Sequence, residues 1–260
     1  DEGIIDLEIT PNRGDCLSLN GIKRELTNFY EVKNYLQIFE KEIKEFKLDF
    51  INEAREDCPQ IMFLLIEIED IPSKYSSYLD NYFEDLLIKK NNFFTDVSNY
   101  ISYELGQPTH CYDFKKLGEK LILERAKKEC NFKTLTNQEI SLKENDLVFT
   151  NGSEVINLAG VMGGNSTSCD TNSKKVLIEC AFFEPEAIIG KSVKYDLNSE
   201  AAYKFERGVD PLMIEIALRR FIHIVEEHSK IKELSIFRNI SSSCEAKSIE
   251  KDKSKVEDIL

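Results

Sequence analysis

The sequence lacks an apolar run that approaches the roughly 18 residues of a membrane-spanning helix. It also lacks a charged-then-apolar leader, so no secretory signal is visible, and it begins without Met, which suggests a piece cut from a longer chain. We therefore predict a soluble, cytoplasmic protein that has no membrane partner.

The cysteines lack any pairing pattern. There are seven of them, which is an odd number, and no two are spaced as C-x-x-C. Disulfide frameworks and zinc cages depend on paired or regularly spaced cysteines, so neither is expected here. We predict reduced thiols and no metal site.

Common catalytic and nucleotide-binding motifs are also missing. The sequence has no G-x-S-x-G, no Cys–His signature, no H-E-x-x-H, no phosphate loop and no G-x-G-x-x-G. A covalent nucleophile is therefore not indicated. Water that attacks a bound ester is the simplest hydrolytic chemistry compatible with these residues, and we expect no cofactor in this chain.

Positive charge is scarce relative to negative charge. Lys and Arg number 34 against 47 Asp and Glu, which gives a formal net charge of −13. Such a surface repels phosphate and gains little from counterion release, so composition argues against nucleic-acid binding. If the protein meets nucleic acid, we expect the main binding surface to lie elsewhere in a larger assembly.

The composition is that of a globular protein, with 42% hydrophobic and 31% charged residues. Helix patterns occur at 19–29, with Asp15 as N-cap, and at 75–87, 96–105, 113–117 with Asp113 as cap, 185–195 and 210–228. Strand patterns occur at 4–9, 61–69, 120–126, 132–136, 139–142, 146–150, 154–160, 174–183 and 233–240. Segment 41–57 reads as a linker or an edge element. Because helices and strands are interspersed without strict β-α-β alternation, we predict an α+β fold.

Two titratable residues stand out as candidates for chemistry. His110 follows the constrained turn Gly106-Gln107-Pro108-Thr109 and can exchange a proton near neutral pH, whereas His223 and His228 are expected to be structural or solvent-facing. Glu179 is an acid inside the apolar strand pattern VLIECAFF, where an unpaired charge is costly.

Two interpretations of Glu179 remain open at this point. It is either a structural carboxylate, satisfied by backbone amides or by an arginine such as Arg207, or an acceptor aimed into a pocket. The glycines of NLAGVMGG, Gly160, Gly163 and Gly164, likewise mark either a tight turn or a place where the backbone approaches a ligand closely.

Five sequence blocks together resemble the beta subunit of bacterial-type phenylalanyl-tRNA synthetase, in the family's order and with similar spacing. The family pattern VDxTNYVxxELGQPxHAFD is similar to TDVSNYISYELGQPTHCYDFKKL. The other blocks are TPNRGDCLSLNGIKREL, NLAGVMGG, KKVLIECAFF and DLNSEAAYKFERGVDP. The resemblance covers nearly the whole chain, from about residue 6 to about residue 225.

The resemblance implies two interleaved α+β domains with mainly antiparallel strands, packed helices and an editing pocket between them. It places the end of the preceding beta-subunit domain at residues 1–40, a tRNA-editing module at 41–240, and a linker with the start of the next domain at 241–260. The implied activity is the hydrolysis of mischarged Tyr-tRNA(Phe) within phenylalanine-tRNA ligase. The implied partners are a catalytic alpha subunit, in a heterotetramer of two alpha and two beta subunits, and tRNA(Phe); ATP and magnesium serve the whole enzyme.

The resemblance also assigns site residues position by position. Catalytic roles fall on His110, Glu179 and Ser199, and Glu179 matches the glutamate that recognises the tyrosine hydroxyl. The residues implied to bind the substrate are Lys89, Ser98, Asn99, Gly163, Gly164, Glu179 and Ala201. No metal ligand is implied.

Some positions depart from the family. Ser98 and Ser199 stand where Thr is usual, which keeps the hydroxyl with less rigidity at χ1. Lys89 stands where Arg is common and lacks its planar fork of donors. Glu200 replaces an Asp, and Lys90 stands at a usual Pro. These departures leave open the alternative that editing is lost and that the same fold acts as a structural and tRNA-docking module. A free-standing trans-editing or binding module is another alternative, against which TPNRGD and the tail argue, because they look like pieces of neighbouring beta-subunit domains.

Overall fold

The computed structural model describes residues 3–32 and 35–242. Within them, helices run over Leu19–Leu26 (α1), Ser77–Asp85 (α2), Phe93–Leu105 (α3), Pro185–Ile188 (α4), Lys191–Lys194 (α5), Glu200–Phe205 (α6) and Met213–His228 (α7). Strands run over Phe50–Asn52 (β1), Gln60–Ile68 (β2), Thr109–Asp113 (β3), Leu121–Arg125 (β4), Cys130–Lys133 (β5), Glu139–Leu142 (β6), Leu147–Thr150 (β7), Val155–Leu158 (β8), Met162–Gly163 (β9), Lys175–Phe182 (β10) and Ile231–Ile240 (β11).

A four-stranded antiparallel sheet in the order β11-β2-β10-β3 lies in the middle of the fold. Side chains alternate along each strand, so one face carries Leu64 and Ile178 while the other carries Phe63 and Glu179. The buried strands that continuous apolar runs predicted at 61–69 and 174–183 are confirmed, because a layer of structure covers each face of this sheet.

Helices α2, α3 and α7 cover the first face of this sheet. The core there includes Leu64, Ile178, Val97, Ile101 and Phe221. Asn92 caps α3 by accepting the backbone N–H of Thr95 at 3.1 Å, and α3 ends at Gly106, whose φ of 75° suits glycine. A buried ion pair between Glu104 and Arg220, 2.7 Å long, joins α3 to α7.

A five-stranded sheet in the order β1-β4-β7-β8-β9 covers the second face, together with the β5–β6 hairpin and the short helices α4 and α6. Its β1–β4 pair is parallel and its other pairs are antiparallel. Strands β4 to β9 lie between β3 and β10 in sequence, so the two sheets are interleaved along the chain. The predicted α+β class with mainly antiparallel strands is confirmed.

The N-terminal elements differ from the predictions. Residues 4–9 do not form a strand, although their branched side chains fit the pattern, because no strand of the described sheets pairs with them. Ile5 there is 80% exposed. Asp15 lies inside a 3-10 helix, Gly14–Cys16, and the cap of α1 is instead Ser18, which accepts the N–H of Gly21 at 2.9 Å.

Three further elements differ from the sequence patterns. Asp113 ends β3 rather than starting a helix, and its carboxylate accepts the N–H of Lys115 at 3.0 Å across a turn. The helix predicted over 185–195 is interrupted because Gly190 adopts a φ of 77° between α4 and α5. Helix α6 was not predicted. Segment 41–57, expected to be a linker or an edge element, contributes the edge strand β1, which agrees with that expectation.

The remaining expectations concern membrane-spanning helices, the cysteines and the domain boundaries. No described helix is both long and apolar enough to cross a membrane. The described cysteines, at positions 16, 58, 111, 130, 169 and 180, are free thiols. The linker predicted at 241–260 lies, from residue 243 onwards, outside the described residues, and the domain boundaries stay predictions.

Candidate functional site

A cavity of about 60 Å³ lies where β3, β10, the β8–β9 turn and α6 meet. Its lining consists of Pro108, Thr109, His110, Asn157, Gly160, Val161, Met162, Gly163, Glu179, Ala201 and Phe205. The structure therefore brings together His110, Gly163, Glu179 and Ala201 of the residues assigned from the sequence.

Strand register places His110 beside Glu179. In the antiparallel pair of β3 and β10, His110 lies directly opposite Glu179, and Tyr112 lies opposite Leu177. Because side chains alternate along a strand, His110, Tyr112 and Glu179 all face the five-stranded sheet. The cavity is thus the space that these two strands share with β8, β9 and α6.

The Glu179 side chain is 5% exposed, and a phenol holds one of its oxygens. The Tyr112 hydroxyl donates to Oε2 at 2.6 Å and accepts a hydrogen bond from Nδ2 of Asn157 at 2.8 Å. Oε1 has no hydrogen-bond partner among the described residues. Arg207, considered as a partner from sequence, instead stacks on Tyr203 with its Cζ 3.5 Å from the ring centroid. The interpretation that backbone amides or Arg207 hydrogen-bond to the Glu179 carboxylate is therefore wrong.

Burial raises the pKa of the Glu179 carboxyl to about 7, because the interior disfavours the charged form, while the Tyr112 hydrogen bond lowers it. Near neutral pH the group therefore exists in both forms. The carboxylate only accepts hydrogen bonds, whereas the acid also donates one. A buried acid whose pKa is displaced in this way, in a cavity, is a candidate functional group.

The His110 ring is partly buried and packs edge-on against Tyr112, with the ring centroids 4.4 Å apart. Its Nε2 atom is enclosed and has no hydrogen-bond partner among the described residues. Burial lowers the pKa of His110 to about 4, so the imidazole is neutral at pH 7. A buried polar atom without a partner costs about 1–3 kcal/mol, which a bound ligand or water removes.

Gly163 and Gly164 both lie where a side chain would not fit. A Cβ at Gly163 would lie 2.2 Å from Cε1 of His110, and a Cβ at Gly164 would lie 2.5 Å from the carbonyl oxygen of Ile156. Gly163 therefore leaves room for the imidazole. Gly164 does not line the cavity, but its N–H donates to the Ile156 carbonyl at 2.8 Å and supports the turn that does.

Two assigned serines contact the cavity lining from outside it. The Ser98 hydroxyl donates to the Thr109 carbonyl at 2.7 Å, next to His110. The Ser199 hydroxyl donates to the Val161 carbonyl at 2.5 Å and accepts the N–H of Ala202 at 3.1 Å, so it caps α6 and ties it to the β8–β9 turn. Neither serine lines the cavity, and each binds the backbone carbonyl of a residue that does.

The remaining assigned residues lie in different places. Ala201 lines the cavity from α6. Asn99 lies on α3, on the helical face of the four-stranded sheet, and Lys89 is exposed in the connection between α2 and α3. The structure does not bring Asn99 and Lys89 to the cavity, and the roles assigned to them stay predictions.

Sequence reasoning missed Tyr112, which donates to Glu179, and Asn157, which donates to the Tyr112 hydroxyl. Tyr112 lies two residues after His110, so a correct strand assignment for β3 would have put both on one face. Asn157 is a buried polar residue within the apolar pattern VINL, the same kind of signal that singled out Glu179.

The described residues offer one cluster with the spacing of metal ligands, formed by Asp15, Cys16 and Glu25. It lies away from the cavity, and Arg13 and Arg24 already pair with its carboxylates. These cations take the place that a metal ion would fill, so the cluster does not extend the chemistry of the cavity.

Comparison with known proteins places this arrangement in a family. Residues 58–230, which include every residue that lines the cavity, match the B3/4 domain. The chain belongs to the B3/4 domain family. The candidate site is therefore a feature within the B3/4 fold and not an addition at its margin.

Phenylalanine–tRNA ligase beta subunits are similar to this B3/4 chain. The subunit of Idiomarina loihiensis is 33% identical over 226 residues, which are 85% of this chain and 28% of the relative. The subunit of Oleidesulfovibrio alaskensis is 34% identical over 237 residues, which are 88% of this chain and 29% of the relative. The chain thus spans less than a third of these relatives. An N-terminal fragment of the phenylalanyl-tRNA synthetase beta subunit of Pyrococcus horikoshii is 15% identical, with a TM-score of 0.46, over 87% of this chain and 60% of that fragment.

Proposed function

We propose that this chain is the editing module of a phenylalanine-tRNA ligase beta subunit and hydrolyses Tyr-tRNA(Phe). The observation that carries the proposal is Glu179, a buried carboxyl in the cavity whose Oε1 has no partner among the described residues. The similarity to ligase beta subunits supports the same assignment.

A buried acceptor separates tyrosine from phenylalanine through the phenolic hydroxyl. A tyrosyl ring in the cavity donates to Oε1 of Glu179, whereas a phenylalanyl ring leaves Oε1 without a hydrogen-bond partner, at a cost of about 1–3 kcal/mol. An apolar phenylalanine pocket rejects an added hydroxyl by only about a hundredfold. A second site with the opposite preference therefore removes the error that the first site admits.

The size of the cavity limits what enters it. Its volume of about 60 Å³ is well below the roughly 300–1,000 Å³ of pockets that enclose whole ligands. The proposed arrangement therefore has only the tyrosyl side chain in the cavity, with the ester and the tRNA at its mouth. Ala201 is the small residue on α6 that leaves this space open.

Hydrolysis also requires a water molecule beside the ester. The free Nε2 of His110 accepts or donates one hydrogen bond, depending on the tautomer. Because its pKa is about 4, His110 is a weak base at pH 7. We assign it the role of orienting the water or the ester, and a ribose hydroxyl of the tRNA is the second group that can activate the water.

The rest of the proposal concerns the longer protein. A ligase beta subunit of this kind acts with an alpha subunit, in a heterotetramer of two alpha and two beta subunits, on tRNA(Phe). ATP and magnesium serve the aminoacylation site, which lies outside this chain. With a net charge of −13, the chain by itself is expected to bind tRNA weakly, so the assembly supplies the main contacts.

One observation favours a second candidate, the same fold with editing lost and a tRNA-docking role. Oε2 of Glu179 is already occupied by the chain's own phenol, Tyr112. If that contact satisfied the carboxyl completely, tyrosine would gain little over phenylalanine. The two candidates therefore differ in whether the complete enzyme deacylates Tyr-tRNA(Phe) faster than Phe-tRNA(Phe).

The deciding experiment is Glu179→Ala in the complete enzyme, with a melting curve and deacylation rates measured on the same preparation. Editing predicts a selective loss for Tyr-tRNA(Phe) of about ten- to a hundredfold, as for a hydrogen bond to a charged group. Aminoacylation with phenylalanine should stay near normal. A large fall in melting temperature with tyrosine selectivity intact would reject the recognition role and leave a structural one.

A further inference from the structure

Tyr112 is fully buried between Glu179 and Asn157. Its hydroxyl oxygen lies 2.6 Å from Oε2 of Glu179 and 2.8 Å from Nδ2 of Asn157. An amide nitrogen only donates, so the phenol oxygen accepts from Asn157 and its own proton is directed to Glu179. Asn157 therefore fixes the direction of the hydrogen bond that Glu179 receives.

The Tyr112 hydroxyl can be separated from the ring that carries it, because Phe has the same ring without the hydroxyl. The structure around position 112 accommodates the ring among Phe149 and His110, with ring centroids 6.5 and 4.4 Å away. The added hydroxyl thus changes the hydrogen bonding of Glu179 with little change in shape.

We propose that Tyr112 is a positioning residue for Glu179, which it holds by Oε2 in the ionised, accepting form so that Oε1 is presented to the hydroxyl of the substrate. The inference rests on the proposed editing function for its substrate, but the contact itself does not. Glu179 lies opposite His110 in the strand pair. The hydrogen bond from Tyr112 to Oε2 therefore also keeps the carboxyl from turning away from the cavity.

Among the groups around Glu179, Tyr112 is the one that favours the charged form of the carboxyl. The titratable neighbours are His110 and Cys111 on β3, Cys180 on β10, and Cys58 before β2. Burial raises the pKa of all three thiols well above the usual range and lowers that of His110, so these groups are neutral at pH 7. Among the described residues, no cation acts on the pKa of Glu179, and Tyr112 is the neighbour that lowers it.

The test is Tyr112→Phe in the complete enzyme, with deacylation of Tyr-tRNA(Phe) and Phe-tRNA(Phe) followed from pH 5.5 to 8.5. Removing the phenol donor should move the midpoint of the tyrosine-specific rate upward by about one to two pH units, which corresponds to one hydrogen bond to a charged group. Selectivity for tyrosine should fall at pH 7 and return at higher pH. An unchanged midpoint overturns the proposal, and so does a rise in tyrosine selectivity at pH 7, which would mean that the phenol competes with the substrate.

Tyr100→Phe is the matched control. Tyr100 is also buried and donates to a glutamate, Glu104, at 3.1 Å, but on the helical face of the central sheet. In this variant, the pH midpoint of the tyrosine-specific rate should equal that of the unchanged enzyme. A shift of the same size in Tyr100→Phe overturns the specific role of Tyr112.

A second measurement separates this inference from the proposed function. If the unchanged enzyme does not prefer Tyr-tRNA(Phe), editing fails, yet the effect of Tyr112 on Glu179 is still measurable from unfolding. Loss of stability in Tyr112→Phe should grow from pH 5 to pH 8.5, because the lost hydrogen bond matters most to the carboxylate. A loss that is independent of pH overturns the positioning role.

Discussion

A side-chain carbon at Gly163 would lie 2.2 Å from Cε1 of His110, so glycine at this position determines where the imidazole stands. We expect Gly163→Ala to push the ring into the cavity, because pairing with β8 holds the Gly163 backbone while the ring can turn. Such overpacking costs about 1–3 kcal/mol of stability. Deacylation of Tyr-tRNA(Phe), measured in the complete enzyme, should fall by about ten- to a hundredfold.

Gly164→Ala is the comparison for that variant. Its added carbon would lie 2.5 Å from the backbone oxygen of Ile156, which cannot turn aside. We expect it to lower the melting temperature more than Gly163→Ala does. If Gly163→Ala deacylates at the normal rate, the placement of His110 does not depend on Gly163.

Ala201 provides a test of the cavity wall. We expect Ala201→Trp to fill the space next to Glu179 and to stop deacylation of Tyr-tRNA(Phe), while the protein still folds because Ala201 is only partly buried. The measurement is the deacylation rate of the folded variant enzyme, with Tyr203→Trp on the exposed side of α6 as control. A normal rate in Ala201→Trp would mean that the substrate does not enter this cavity.

Glu179 should make stability depend on pH in an unusual direction. Its pKa rises from an ordinary 4.5 to about 7 on folding, so its contribution is present below pH 4.5 and is lost as the pH rises through 7. Relative to Glu179→Gln, the free energy of unfolding of the unchanged protein should fall between pH 4.5 and 8, by a total on the order of 3 kcal/mol. Denaturant unfolding at several pH values measures this difference, and a difference that does not vary with pH contradicts the assignment.

The contribution of His110 to stability should depend on pH in the opposite direction. Its pKa falls from an ordinary 6.5 to about 4 on folding, so its contribution is present above pH 6.5 and is lost as the pH falls through 4. The unchanged protein should therefore lose stability relative to His110→Gln on acidification, by up to about 3 kcal/mol. Comparison with Glu179→Gln over the same range separates the two groups, because the signs differ. Equal acid sensitivity with and without His110 would show that the imidazole is not neutral in the folded state.

Ser199 should act on the cavity through the backbone. Ser199→Ala removes the cap of α6 and the bond to the Val161 carbonyl, and loss of a cap costs about 1 kcal/mol. We expect a lower melting temperature together with slower deacylation, and recovery of both in Ser199→Thr, which keeps the hydroxyl. Slow deacylation in Ser199→Thr, despite a normal melting temperature, would instead indicate direct contact between Ser199 and the substrate.

Local sequence patterns predicted the elements that carry a clear apolar run or a helical repeat. Strands β2 and β10 read as continuous apolar runs, and α3 and α7 carry the helical repeat. The pattern failed for β3, whose five residues include two that are only partly buried and carry polar groups. It failed at residues 4–9 for the opposite reason, because a suitable composition does not supply a neighbouring strand.

The sequence by itself determined the α+β class and the buried central strands and singled out His110 and Glu179, to which the resemblance to a family then assigned roles. Only the tertiary structure decided that these two stand side by side, that Tyr112 donates to the carboxyl while Asn157 donates to Tyr112, and that Ser98 and Ser199 lie outside the cavity. The reason is that strand register and desolvation depend on residues far apart in the chain. The pKa of Glu179 is set by the layers above and below it, which no local pattern encodes.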